Sequence, residues 1–124
     1  IMIGKRLKPI LCFLLVMMTP SCNSHKTPCA CGIENPQENI EWLKYLLSRT
    51  FCVEVYTVSY NNEEYIGIRD CPRIVDGMTV IYDCSGNKVC EFGGLFLGSG
   101  CTLPDFWNYF EMHKRLIYVQ DIKP

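Results

Sequence analysis

Phe51-Cys52-Val53-Glu54-Val55-Tyr56-Thr57-Val58-Ser59-Tyr60-Asn61-Asn62-Glu63-Glu64-Tyr65-Ile66-Gly67-Ile68-Arg69-Asp70 is the stretch on which the fold turns. Phe51, Val53 and Val55 alternate with Cys52, Glu54 and Tyr56, and β-branched and aromatic residues dominate through Tyr60, as a half-buried pleated strand requires. Asparagine tolerates positive φ, so Asn61-Asn62 predicts a tight turn and Glu63 to Asp70 the returning strand. A two-residue turn sets Cys52 directly opposite Cys71, at ~5.5 Å or less between Cα atoms, which is within disulfide range.

Working outward toward the C-terminus, the loop Cys71 to Gly77 leads to a third strand, Met78 to Asp83. Asp83-Cys84-Ser85-Gly86-Asn87 reads as a turn with glycine in the left-handed position, and Lys88 to Phe92 returns. Pairing across this turn predicts Met78, Val80, Tyr82, Cys90 and Phe92 on the core face, and Thr79, Ile81, Asp83, Val89 and Glu91 on the other. Thr102-Leu103-Pro104-Asp105 then reads as a helix start, followed at helical spacing by Phe106, Trp107, Phe110 and His113. Leu116 to Gln120 reads as a last short strand. On the N-terminal side, Asn35-Pro36-Gln37-Glu38 resembles a capping box, and Ile40, Leu43, Leu46 and Leu47 recur at helical spacing through about Arg49. The expectation is an α+β fold: an N-terminal helix, a four-stranded antiparallel meander, a second helix and a short C-terminal strand, with the helices on one sheet face.

The chain of 124 residues is 48% hydrophobic and 20% charged, which excludes wholesale disorder and collagen-like repeats. Lys5, Arg6 and Lys8 precede the apolar run Ile10 to Met18, which is followed by Thr19-Pro20-Ser21-Cys22. This is a basic region, a short hydrophobic region and a small residue before a cysteine. Nine apolar residues make about 14 Å of helix, against a hydrocarbon core of roughly 30 Å, so a transmembrane helix is not expected. The stretch looks like a lipobox, although Thr19 and Pro20 depart from the usual Leu-Ala pair. Residues 1–21 are read as a lipoprotein signal, Ile1 ahead of Met2 suggesting either that Met2 is the natural start or that the numbering is slightly offset, residues 22–34 as a lipid-anchored tether and residues 35–124 as one domain. Cys22 would carry a diacylglyceryl thioether and an N-acyl chain, enough for permanent attachment.

The signal holds three of the twelve basic residues and none of the thirteen acidic ones, so the mature chain is net acidic and offers no basic patch for nucleic acid. Of nine cysteines, Cys12 leaves with the signal and Cys22 is the lipid site; seven remain, which allow three pairs and one odd thiol. Cys52 with Cys71 is one expected pair. Cys90 with Cys101 is a second, since Cys101 precedes the helix expected over the core face. Cys84 is within reach of Cys29, Cys31 or Cys90. Zinc sites use paired Cys-x2-4-Cys elements, which Cys29-x-Cys31 with Cys84 and Cys90 does not supply, so disulfides are preferred to metal.

No catalytic constellation stands out. His25 lies in the tether; His113 has Cys101 and Glu111 as neighbours for a Cys–His nucleophile, but a histidine on an aromatic-rich helix is more often packed or at the surface. No nucleophile elbow, zincin helix, phosphate loop or dinucleotide fingerprint is present, and no cofactor is implied. Within Glu91 to Gly100, Leu95, Phe96 and Leu97 either tuck under the second helix or face a protein partner.

Trp42-Leu43, the block Tyr82-Asp83-Cys84-Ser85-Gly86-Asn87-Lys88-Val89-Cys90-Glu91-Phe92-Gly93-Gly94 and Cys101-Thr102-Leu103-Pro104-Asp105-Phe106 resemble a family of small lipoproteins of Bacteroidota-type Gram-negative bacteria, a domain of unknown function. The likeness covers about Asn35 to Tyr118. It implies an envelope location and carries over no catalytic residue. The expected function is a lipid-anchored envelope protein acting as a non-enzymatic binding or accessory module, on the periplasmic side or the cell surface. The alternatives are an inhibitor of an extracellular hydrolase and, behind it, a Cys/His enzyme.

Overall fold

The computed structural model describes Cys22 and residues 27–74, 77–93, 100–103 and 105–122. A two-residue hairpin of β1 (Cys29–Ala30) and β2 (Ile33–Glu34) leads into α1 (Pro36–Asn39) and α2 (Glu41–Ser48). Then come β3 (Cys52–Tyr60), β4 (Glu63–Asp70), β5 (Met78–Asp83), β6 (Lys88–Gly93), α3 (Phe106–His113) and β7 (Arg115–Asp121). The β3–β4 hairpin follows the alternation in its sequence: Tyr60 pairs with Glu63 and Val53 with Asp70, and the turn is made by Asn61 and Asn62 at φ 51° and 65°.

The molecule is mostly β, and the expected four-strand meander with helices on one face is not what forms. The main sheet has five antiparallel strands in the order β6-β5-β4-β3-β7, so the C-terminal strand returns to the far side of β3 and makes it an interior strand. The helices lie on opposite faces. Val53, Val55 and Ile66 pack with Leu43 and Leu47 of α2, whereas Val58, Tyr65, Ile81, Cys90 and Phe92 pack with Phe106 and Phe110 of α3. Thr57 pairs with Ile66 and the next residue, Val58, with Tyr65, and successive residues point to opposite faces. The physical reason for the miss is in β3 itself. It has apolar residues at both parities, which is the pattern of a strand covered on both sides rather than on one.

The face assignment around the second hairpin also changes. Ile81 pairs with Cys90 and Thr79 with Phe92, while a bulge between Ile81 and Tyr82 puts Tyr82 opposite Lys88. One extra residue in one strand inverts the facing relation of everything beyond it, so Ile81 and Cys90 share the face under α3. The first helix is interrupted as well. Ile40 is extended (φ −99°, ψ 113°) with its side chain buried, which separates α1 from α2. Neither Asn35 nor Asp105 caps through its side chain; both take the left-handed conformation, and α3 begins at Phe106.

Two devices hold the helices down. Gly67 lies beneath α3, where a Cβ would come 2.6 Å from Cζ of Phe110, so the missing side chain is the space the ring occupies. Beside it, Arg69 donates to Glu111 of α3 and to Thr79 Oγ1 at 3.0 Å, with its guanidinium 5.5 Å from the Tyr56 ring and 5.6 Å from Trp107. On the other face, Gln120 of β7 donates through Nε2 to the carbonyl oxygens of Leu47 (2.8 Å) and Thr50 (3.0 Å), satisfying backbone groups where α2 ends.

Candidate functional site

An open cleft of about 670 Å³ lies where the N-terminal segment crosses the end of the sheet. Its walls come from four separate parts of the chain. The β1–β2 hairpin contributes Cys29 and Gly32; the hairpin end of β3 and β4 contributes Thr57, Val58, Ser59 and Glu64. Tyr109 and His113 stand on α3, and Arg115 opens β7. Cys22 lines the same cleft.

Each polar group is held by a specific partner. Thr57 Oγ1 donates to Glu64 Oε2 at 2.6 Å, fixing the carboxylate against the wall. Tyr109 donates its hydroxyl to the Ser59 carbonyl oxygen at 2.8 Å, bridging α3 to β3. His113, one helical turn beyond, stacks on the Tyr109 ring at 4.1 Å between centroids, with Nδ1 3.0 Å from the Tyr109 carbonyl oxygen. Arg115 gives one of its donors to the Cys29 carbonyl oxygen at 3.3 Å, clasping β1 to the main sheet. The result is a shallow polar rim with an aromatic body and an arginine at its mouth. A charged or amphipathic surface can meet such a rim, whereas enclosing a small substrate needs more depth.

His113 contacts neither of the neighbours the sequence offers it. Glu111 is engaged by Arg69 and by Lys114, and Cys101 is paired with Cys90. The other described cysteines join as Cys52–Cys71, Cys31–Cys84 and Cys22–Cys29, with Cα separations of 5.5, 5.8 and 5.6 Å. Four pairs thus support disulfide bonding as a general property of the chain. Cys22, expected to bear lipid, is joined to Cys29, and Cys84 takes Cys31 from its three open partners. Among the described residues no three His, Cys, Asp or Glu side chains gather as metal ligands. Leu95, Phe96 and Leu97, the candidate partner-facing residues, lie outside the described residues, as do residues 1–21 of the signal.

Sequence reasoning missed the cleft wall. Thr57, Ser59, Glu64, Tyr109 and Arg115 belong to no motif; the β3–β4 hairpin brings the first three together, and the packing of α3 and the return of β7 beside β3, which no local spacing announces, add Tyr109 and Arg115. The groups whose proton affinity is displaced lie elsewhere. Burial raises Tyr82 above its ordinary value, and it raises Tyr65 and Tyr56 too, aided by the neighbouring carboxylates of Glu63 and Glu54. Asp83 moves the other way. Burial pushes its carboxyl up, but hydrogen bonds from Asn87, Ser85 and Gly86 together outweigh it and hold the group below its ordinary value.

No protein-family model, curated protein or solved structure matches this chain.

Proposed function

We propose that this chain is a lipid-anchored envelope protein, tethered through Cys22, whose small disulfide-linked domain acts as a non-enzymatic binding or accessory module. The observation that carries the reading is the order of Lys5, Arg6 and Lys8, the apolar run Ile10 to Met18, and Ser21 before Cys22. Paired cysteines fit an oxidising compartment outside the cytoplasm.

The anchor and the Cys22–Cys29 pair compete for one sulfur. A thioether at Cys22 forbids a disulfide there, so the anchored form carries Cys29 as its odd thiol and three disulfides, and the unanchored form carries four. Detergent phase partitioning tests the proposal. The wild-type protein is expected in the detergent phase and the Cys22→Ser variant in the aqueous phase; a wild-type protein found in the aqueous phase contradicts the anchor.

A further inference from the structure

If Cys22 is the anchor, the place where the tether joins the fold decides which end of the domain meets the bilayer. β3 and β4 define the long direction. Tyr60 and the Asn61-Asn62 turn stand at one end, with Cys52 and Cys71 at the other. Cys29, Thr57, Ser59, Tyr109 and Arg115 gather at the turn end, around the cleft. At the opposite end Phe51 and Ile122 are 61% and 54% exposed and adjoin one another, Ile122 N donating to the Phe51 carbonyl oxygen at 2.7 Å.

Chain length sets the limit. Four residues lie between Cys22 and Thr27, so the anchor is at most five Cα-to-Cα steps, roughly 18 Å, from Thr27 even at full extension. Ser59 to Cys52 along β3 covers about 23 Å at the rise of a strand. Cys29, two residues beyond Thr27, already stands in the cleft wall under Arg115, so the anchor reaches the cleft end without any stretch. To lay the Phe51 end on the bilayer, the tether would have to follow the whole sheet, which is longer than its full extension.

The chemistry of the cleft mouth fits the same neighbour. Arg115 spends one donor on Cys29 and presents a planar guanidinium of the kind that pairs with phosphate. Tyr109 supplies an amphipathic ring of the type found at headgroup depth, with His113 stacked on it. Glu64, the acidic group of the cleft, is turned into the wall by Thr57.

Building on the anchor reading at Cys22, we infer that the cleft end of the domain, with Arg115, Tyr109 and His113 at its mouth, rests on the phospholipid headgroup layer of the anchoring membrane. Phe51 and Ile122 are then held on the side away from the bilayer.

Hydroxyl-radical footprinting tests this on the lipidated protein in vesicles of phosphatidylethanolamine and phosphatidylglycerol, with the soluble Cys22→Ser variant as reference and intact mass reporting the lipid. The expected result is a loss of labelling at Tyr109 and His113 in vesicles, with labelling at Phe51 and Ile122 unchanged between the two forms. That equality also shows that the variant is folded. Lipid on Cys22 with equal protection at both ends, or with protection at Phe51 and Ile122, overturns the orientation and leaves the anchor standing. A chain recovered without lipid on Cys22 removes both.

Discussion

Gly67 shows how much can depend on an absent side chain. It sits in the middle of β4, where glycine is ordinarily unfavourable, and the space above it is filled by Phe110 and Ile81 Cδ1. Gly67→Ala is expected to force the Phe110 ring aside and to cost about 1–3 kcal/mol, the usual range for overpacking, measured by denaturant unfolding. Asp83 offers a pH-dependent counterpart. Its side chain accepts from the backbone N–H groups of Ser85 and Asn87, both at 2.9 Å, and from Asn87 Nδ2. Because the folded carboxyl holds its proton less tightly than the ordinary 3.8, its contribution is present above that value and is lost as pH falls through the lower, folded one. The melting-temperature deficit of Asp83→Asn should accordingly be largest near neutral pH and shrink as the pH is taken below 3.8. Of these two residues the sequence announces Asp83, since an aspartate opening a Ser-Gly-Asn turn has an obvious task. Gly67 gives no such notice, because the ring that needs its space lies 43 positions later.

Elements were legible where the information is local. The β3–β4 hairpin and its Asn-Asn turn follow from alternation and from the conformational tolerance of asparagine, and the same register sets Cys52 opposite Cys71. The β5–β6 facing pattern failed because one bulged residue inverts parity, and the break at Ile40 failed because an apolar residue at helical spacing is buried equally well by an extended backbone. The placement of the helices on opposite faces is carried by few interactions, and Arg69 with Glu111 is the most specific of those for α3. The pair is half-buried, so its contribution lies between that of a surface bridge and a core one. A double-mutant cycle of Arg69→Met with Glu111→Gln should return a coupling of about 1 kcal/mol. A coupling near zero would show that α3 is held by its aromatic packing and the Tyr109–Ser59 hydrogen bond without help from this pair. The disulfides also separate by loop length. Cys31–Cys84 closes 53 positions and Cys52–Cys71 only 19. The chain-entropy estimate gives about 4 and about 3 kcal/mol respectively. The paired alanine variants should rank in that order by denaturant unfolding, more so because Cys52–Cys71 closes a hairpin already held by its strand register.

For the whole molecule, the nine cysteines that mark the sequence divide by chemistry. Cys31–Cys84 ties the N-terminal segment to the β5–β6 turn, Cys52–Cys71 closes the far end of the first hairpin, and Cys90–Cys101 fastens the approach to α3. Cys22 and Cys29 are the pair whose state reports on the proposed role, since an anchored chain cannot contain their disulfide. The cleft, by contrast, was not legible as a site, because its wall from the β3–β4 hairpin is completed by α3 and by a C-terminal strand with no local signal for its partner. The most direct measurement is peptide mass spectrometry of protein taken from the membrane fraction, alkylated before reduction. The account predicts a Cys22 N-terminus carrying diacylglyceryl and acyl groups, an alkylated Cys29 and three intact disulfides; a membrane-fraction protein with Cys22 joined to Cys29 and no lipid would contradict it.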